Sequence, residues 1–239
     1  MSGVSPKEFR TSEMQQVSRA VVAAPRPGLG CARPGLRVHI VGGPGTGKTT
    51  LSRALARELG IEAIELDLIA GDGEPPDFVP TTPLARRIAS VQQTASRDSW
   101  VTEGAFLWWT EALFEAACVI VWIDVPRVIA EWRLARRYCQ ERLASLVHSR
   151  NASEVISSAL HPHISDCYQF SRWSWRYYDQ RRAIFLPEGD DPDELSWVAT
   201  NHVLQRYHTK VVRVGRKSTT ASTCKLITSR IGVLHVAHL

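Results

Sequence analysis

The chain has 239 residues, of which 44% are hydrophobic and 22% are charged, and its formal net charge is +5. This apolar content excludes a disordered chain, and the longest uninterrupted apolar run, residues 116–123, is too short for a membrane span of about 20 residues. Five cysteines without a C-x-x-C pair argue against a disulfide-stapled secreted scaffold and predict free thiols in a cytoplasmic protein.

The positive charge is concentrated at the two ends of the chain. Residues 1–35 carry five basic and two acidic side chains, and residues 195–239 carry seven basic and no acidic ones. The body between them carries 17 basic and 22 acidic side chains. Contacts with nucleic acid are therefore expected only through the basic termini.

The pattern of predicted elements is typical of an α/β fold. Residues 1–35 are rich in Pro and Gly, which break helices and strands, and predict a flexible leader. In residues 36–207, short β-type runs alternate with helical patterns, as in a three-layer α/β/α domain with a parallel sheet. The predicted strands are 36–41, 63–67, 100–103, 119–124 and 183–186. The predicted helices are 48–59, 83–97, 109–117, 126–146, 166–182 and 192–207. Residues 208–239 show no clear pattern and predict a basic, poorly ordered tail.

The strongest motif lies between the first predicted strand and the first predicted helix. Residues 42–49 match G-x-x-x-x-G-K-[ST] in full, which is the pattern of a phosphate-binding loop, or P-loop. Its glycines allow backbone N–H groups to surround phosphate oxygens, Lys48 is expected to reach the β- and γ-phosphates, and the Thr49 hydroxyl is expected to coordinate Mg²⁺. The residues expected to bind the nucleotide are Gly42, Gly43, Pro44, Gly45, Thr46, Gly47, Lys48, Thr49 and Thr50. An ordinary glycine-rich turn would not require the Lys-Thr pair, so the motif predicts binding of Mg²⁺-ATP.

Two acidic residues at the ends of apolar strands compete for the metal side of this site. Glu103 follows residues 100–102, and Asp124 follows the apolar run that ends at Ile123. From the sequence pattern alone, Asp124 is the better candidate for a Walker B carboxylate.

Several other segments occur in a characteristic order along the chain. They are Glu65-Leu66-Asp67, residues 100–104, residues 117–127, Trp132-Arg133 and Trp173-Ser174-Trp175. Together with the P-loop, they make residues 36–188 resemble the adenylate kinase-like proteins, and among these the family named DNA topology modulation proteins. The resemblance implies a P-loop kinase-like sheet in the strand order 2-3-1-4-5.

The resemblance also changes the choice of carboxylate. In the family arrangement the third strand lies beside the P-loop strand and ends in an acidic residue followed by Gly, which matches Glu103-Gly104. Glu103 is therefore the preferred metal-side carboxylate, and Asp124 is the fallback. If Glu103 is the metal-side carboxylate, Asp124 is expected to cap the helix that begins at Pro126.

Three more side chains are candidates for catalysis. Arg133 and Arg137 are four residues apart and share a helix face; the resemblance implies that they reach over the ATP phosphates when a lid closes. Asp67 ends the second predicted strand, where kinases of small acceptors often keep a carboxylate that binds or deprotonates the attacking hydroxyl. The alternative for Asp67 is a cap for the next turn, and the alternative for the arginines is a solvated surface.

The sequence therefore predicts an ATP-dependent kinase of a small nucleotide- or nucleoside-type acceptor, without membrane contact. The alternative is a nucleotide-dependent regulatory or DNA-associated ATPase with slow hydrolysis and no dedicated acceptor. A third hypothesis assigns the function to the basic tail, through contacts with phosphate backbones.

Overall fold

A computed structural model describes residues 35–71, 81–148, 174–179 and 195–236 of the protein. Its strands are β1 (Arg37–Val41), β2 (Ala63–Glu65), β3 (Trp100–Gly104), β4 (Val119–Ile123) and β5 (Val211–Val214). Its helices are α1 (Lys48–Leu59), α2 (Leu66–Ala70), α3 (Leu84–Ala95), α4 (Glu111–Ala116), α5 (Arg127–His148), α6 (Trp197–Gln205) and α7 (Thr220–Val236). Residues 174–178 form a further short helical segment.

The strands form one parallel sheet in the order β2-β3-β1-β4-β5, which confirms the predicted order. β1 lies at the centre, and its last residue, Val41, pairs with Gly104 at the end of β3. Because the strands are parallel, their carboxyl ends meet at one edge of the sheet. The loop after β1 and the acidic end of β3 are therefore neighbours at that edge.

Side chains alternate between the two faces of the sheet and build two cores. On one face, Val38, Ile40 and Val121 pack with α1 and α7. On the other, Val41 and Trp122 pack with α3, α4 and α6. Because both faces are covered, every residue of β1, β3 and β4 is buried, and the protein has the expected three-layer α/β/α fold.

The prediction of a poorly ordered tail is wrong for residues 211–236. Val212 and Val214 are buried in β5, the edge strand beside β4, while Arg213 between them is exposed. α7 places Cys224, Ile227 and Ile231 in the core that it shares with α1. Among the described residues, the fifth strand is therefore Val211–Val214. Residues 1–34 of the predicted leader 1–35, the predicted strand 183–186 and most of the predicted helix 166–182 lie outside the described residues.

Four of the seven basic side chains in residues 195–239 have a hydrogen bond or an ion pair, three of them with the rest of the domain and one, from Arg230, within this region. Arg206 pairs with Glu111 at 2.9 Å, and Lys210 Nζ donates to the Glu115 carbonyl at 2.7 Å. Arg230 donates to the Thr209 carbonyl at 2.8 Å. The fourth, Arg213, pairs with the carboxylate at the end of β4. At these positions the basic charge serves the fold.

His39 on β1 is fully buried and makes stability depend on pH. Its Nδ1 lies 2.8 Å from the Thr102 hydroxyl, and its Nε2 has no hydrogen-bond partner among the described residues. Burial lowers its pKa from 6.5 to about 3, against a smaller opposing effect of the Thr102 backbone. Between these values the unfolded chain binds a proton that the folded chain excludes, so the free energy of unfolding falls as the pH falls, by up to about 1.4 kcal/mol per pH unit.

We therefore expect His39→Asn to flatten this dependence. Urea unfolding at pH 7 and pH 5.5 measures it, with replacement of the exposed His202 by Asn as the control. The wild type and the control should lose stability between the two pH values, and His39→Asn should lose less. Equal losses in all three proteins would contradict a neutral buried His39.

Two further features of the described residues bear on the expectations from composition. No helix in the described ranges is long and apolar enough to cross a membrane. Cys139 and Cys224 are free thiols, whereas Cys118 at the start of β4 is disulfide-bonded. The expectation of thiols throughout is therefore wrong at Cys118.

Candidate nucleotide-binding site

The P-loop connects the carboxyl end of β1 to the first turn of α1. Gly45 and Gly47 have φ values of 70° and 96°, a backbone region that favours glycine. A Cβ at Gly45 would also lie 2.8 Å from the Leu134 side chain of α5. Gly47 is the N-cap of α1 and provides no side-chain hydrogen bond to its first turn. The amides at the start of α1 are thus available to an anion, with the helix dipole in the favourable direction.

Lys48 and Thr49 begin α1 and face different partners. Lys48 Nζ donates to the Gly43 carbonyl at 3.0 Å, and so bends back across its own loop. The Thr49 hydroxyl donates to Glu103 Oε1 at 2.6 Å. β3 therefore delivers its terminal carboxylate to the first turn of α1, as the resemblance implies.

Glu103, Lys48 and Asp67 influence one another's ionisation. Glu103 is only 2% exposed, and this burial raises its pKa, while Lys48 and the bond from Thr49 oppose the rise and Asp67 adds to it. The pKa of Lys48 is lowered by burial. The negative charges of Glu103 and Asp67 oppose this decrease, and the positive charge of Arg137 adds to it. The charges of Glu103, Asp67 and Arg137 therefore all act on the Lys48 ammonium group.

Asp67 lies in the first turn of α2, and not at the end of a strand as predicted. β2 ends at Glu65, which is also the N-cap residue of α2. A role for Asp67 as that cap is therefore wrong. Loss of solvent raises the pKa of the Asp67 carboxyl, the Lys48 charge lowers it, and Glu65 raises it. The helical turn places Asp67 on the cleft described below.

Arg133 and Arg137 reach the same cleft from α5. The Arg133 guanidinium donates to the Thr46 carbonyl of the P-loop at 2.6 Å. Two other arginines of α5 have contacts elsewhere. Arg136 lies over the Trp132 ring, 5.5 Å from its centroid, and Arg127 pairs with Glu131 at 3.1 Å. The face that carries Arg133 and Arg137 is thus the one turned to the P-loop.

Asp124 has a different environment from Glu103. Its Oδ1 accepts a hydrogen bond from Trp197 Nε1 of α6 at 2.9 Å, and its Oδ2 accepts from the Arg213 guanidinium of β5. The same guanidinium stacks on Trp122, at 4.6 Å from the ring centroid. Asp124 therefore ties β4 to α6 and β5, in place of the expected helix cap.

One cleft of about 690 Å³ brings these groups together. Residues 44–50 of the P-loop line it, whereas Gly42 and Gly43 do not. The sequence-predicted residues Lys48, Thr49, Asp67, Glu103, Arg133 and Arg137 also line it. Asp124 does not line it.

The sequence reading missed the wall of this cleft that comes from the C-terminal region. Its residues are Leu195, Val214, Gly215, Ser218, Thr219, Thr220 and Thr223. Leu195 precedes α6 and Val214 ends β5, and the others come from the turn between β5 and α7 and from the first turn of α7. The alternating Val212-Arg213-Val214 pattern could have indicated a strand, and hence a loop at the active edge of the sheet.

Known protein families and solved structures include chains that are similar to this one. Residues 38–99 match the family model described as "ATPase family associated with various cellular activities (AAA)". A search of curated proteins finds no match. Similar solved structures include a gluconokinase from Sinorhizobium meliloti 1021, with 17% identity, a TM-score of 0.44 and coverage of 84% of this chain and 94% of that chain. A shikimate kinase from Acinetobacter baumannii in complex with shikimate has 15% identity, a TM-score of 0.40 and coverage of 86% and 97%.

The matched region 38–99 contains β1, the P-loop and α1, and these are the elements that surround the phosphate-binding loop. The complete Gly-Lys-Thr loop stands at the carboxyl end of the central strand of a parallel sheet. The chain therefore has the α/β fold of the P-loop nucleoside triphosphatases.

Proposed function

We propose that the protein is a phosphotransferase that moves the γ-phosphoryl group of Mg²⁺-ATP to a hydroxyl of a small, nucleotide- or nucleoside-type acceptor. The observation that carries this proposal is the composition of the cleft. The P-loop, the buried carboxylate of Glu103, the carboxylate of Asp67 and two arginines all line the same cavity. A site for hydrolysis alone needs no second carboxylate beyond the metal side.

The P-loop side of the cleft binds the triphosphate. The loop amides and the Lys48 ammonium hold phosphate oxygens, so Lys48 exchanges its bond to the Gly43 carbonyl for bonds to the nucleotide. Thr49 and Glu103 are oxygen donors 2.6 Å apart, a donor set that suits Mg²⁺. When bound there, Mg²⁺ neutralises charge on the phosphates.

The part of the cleft that Asp67 lines binds the acceptor. Asp67 accepts a hydrogen bond from the attacking hydroxyl and takes its proton as the bond from the acceptor oxygen to the γ-phosphorus forms, while the bond from that phosphorus to the β–γ bridging oxygen breaks and ADP leaves. Phe106 and Ala70 line the cleft with Asp67 and offer an apolar surface to the rest of the acceptor. Arg133 and Arg137 stabilise the negative charge on the transferred group from above the loop.

The narrower assignment, to the adenylate kinase-like proteins and the DNA topology modulation family, is part of the proposal. It is supported by the position of Glu103 beside the P-loop strand and by the approach of Arg133 to that loop. The cytoplasmic location and the contacts of the basic termini with nucleic acid remain predictions.

An assay of ATP turnover across a panel of nucleosides, nucleotides and small polyols tests the proposed function. Release of ADP that depends on one acceptor class supports transfer. Slow release that no acceptor changes would instead support the regulatory ATPase and contradict the kinase.

Asp67→Asn is expected to lower acceptor-dependent turnover by about 100-fold, the lower end of the usual contribution of a general base. The affinity for ATP should change little, because Asp67 faces the acceptor. Calorimetry with ATP and steady-state kinetics with the acceptor separate the two effects. Asp98→Asn, at an exposed carboxylate just before β3, is the matched control, and equal turnover in the two variants would contradict the role of Asp67.

A further inference from the structure

The beginning of the P-loop is covered by an aromatic ring from a distant part of the chain. Tyr177, in the helical segment 174–178, is 2% exposed. A Cβ built on Gly43 would lie 2.5 Å from both Cδ1 and Cε1 of this ring. Real Cβ atoms do not approach other atoms so closely, so the ring occupies the space that any side chain at position 43 would need.

The backbone of Gly43 does not itself require glycine. Gly42, Gly45 and Gly47 have positive φ values, whereas Gly43 does not. Alanine could therefore adopt the backbone conformation of residue 43. What excludes a larger residue at this position of the loop is the Tyr177 ring.

Gly43 also anchors the chemistry of the loop. Its carbonyl accepts hydrogen bonds from the Thr46 hydroxyl at 2.8 Å and from Lys48 Nζ at 3.0 Å. A shift of the peptide at residue 43 would therefore move the carbonyl oxygen to which the Lys48 ammonium donates its hydrogen bond.

The Tyr177 ring is itself held in place from α6. Its hydroxyl lies 3.1 Å from the Thr200 hydroxyl. Thr200 donates its own proton to the Ser196 carbonyl at 2.8 Å, so the Tyr177 hydroxyl donates to Thr200. The Tyr178 ring packs edge-on against Tyr177, with 5.0 Å between centroids. A rigid ring on a rigid support is what fixes a neighbouring loop.

We propose that Tyr177 is a positioning residue for the P-loop, which sets the affinity for ATP through its contact with Gly43 and without touching the nucleotide. Tyr177 does not line the cleft, so its effect passes through the loop. The prediction for ATP affinity rests on the proposed function, whereas the steric contact between the two residues does not.

A double-mutant cycle tests this contact. Gly43→Ala should weaken ATP binding and lower the unfolding midpoint, because the new methyl group meets the ring. Tyr177→Leu should weaken ATP binding about tenfold, within the usual coupling of contacting residues. The double variant should bind ATP more tightly and unfold at a higher temperature than Gly43→Ala, because the smaller side chain leaves room for the methyl group.

Gly47→Ala provides the matched control. Gly47 has a φ of 96°, and a Cβ there would meet only Arg133, at 3.5 Å. Its defect comes from the backbone, so Tyr177→Leu should not rescue it. Rescue at both glycines, or independent multiplicative effects at Gly43, would overturn the proposal.

Two readouts separate this proposal from the proposed function. Calorimetry measures ATP affinity, and thermal unfolding without nucleotide measures the steric coupling. A wild type that binds no ATP would end the kinase proposal, and the unfolding midpoints would still decide the contact. If Gly43→Ala does not fold, recovery of folding in the double variant supports the contact. If neither variant folds, Tyr177→Phe should keep an ATP affinity within about twofold of the wild type, while Tyr177→Leu should lose affinity. Equal ATP affinities of these two Tyr177 variants would overturn the proposal.

Discussion

Replacement of Lys48 by alanine is expected to weaken ATP binding by at least about 100-fold while the protein stays folded. Lys48 lies at the start of α1, the charges of Glu103 and Asp67 both raise its pKa, and its Nζ points across the loop to the Gly43 carbonyl. Removing one partner of a buried, hydrogen-bonded charge pair costs about 2–5 kcal/mol, and tenfold in affinity corresponds to about 1.4 kcal/mol. Isothermal calorimetry with ATP measures the change directly.

The matched control is Lys225→Ala, on the exposed face of α7 and outside the cleft. It carries the same loss of charge without a change in the P-loop and should bind ATP as the wild type does. If Lys48→Ala retained the affinity of this control, the P-loop would not be the nucleotide site.

The amide replacements Glu103→Gln and Asp124→Asn are expected to have different effects. Glu103 accepts a hydrogen bond from Thr49 inside the cleft, so Glu103→Gln should lower turnover by about 100- to 1000-fold, the range for loss of one preorganised polar group. It should also raise the Mg²⁺ concentration needed for half-maximal activity. Asp124 binds Trp197 and Arg213 away from the cleft, so Asp124→Asn should leave the Mg²⁺ requirement unchanged.

The effect of Asp124→Asn should be a loss of stability. The Arg213 side chain is 56% exposed, so solvent screens the ion pair, and we expect a decrease of only about 1 kcal/mol in the free energy of unfolding. Magnesium titrations of turnover, together with urea unfolding of both variants, make the comparison. A larger shift in Mg²⁺ requirement for Asp124→Asn than for Glu103→Gln would reverse the assignment of the two carboxylates.

The centre of the fold could be predicted from sequence because several local signals agree there. The P-loop motif, the apolar run of β1 and the stripe of Leu51 and Leu55 on α1 all indicate one strand–loop–helix unit. The predicted helix 48–59 has the same bounds as α1. The strand order followed once the acidic end of β3 was placed beside β1.

The second strand shows where local pattern fails. Residues 63–67 alternate as a strand does, but β2 has only three residues, and Leu66 begins α2. Leu66 is buried beneath Gly104, where a Cβ would lie 2.9 Å from it. This close packing against the neighbouring strand is a tertiary contact, which the alternation of residues 63–67 does not encode.

The C-terminal region was missed for a related reason. α7 is rich in Ser and in the β-branched residues Thr, Ile and Val, which have modest helix propensity. Its burial of Cys224, Ile227 and Ile231 against the sheet decides its structure. The hydrogen bond from Arg133 to the Thr46 carbonyl was also beyond the sequence, since it depends on how α5 lies over the loop.

The fate of the γ-phosphoryl group tests the central proposal most directly. ATP labelled at the γ-phosphate would be incubated with the protein, Mg²⁺ and the acceptor that stimulates turnover most, and the products would be separated. The label should appear on the organic acceptor, one for each ADP released, and this transfer should be lost in Lys48→Ala and Asp67→Asn. Label found only as inorganic phosphate, at a rate that no acceptor changes, would contradict a phosphotransferase.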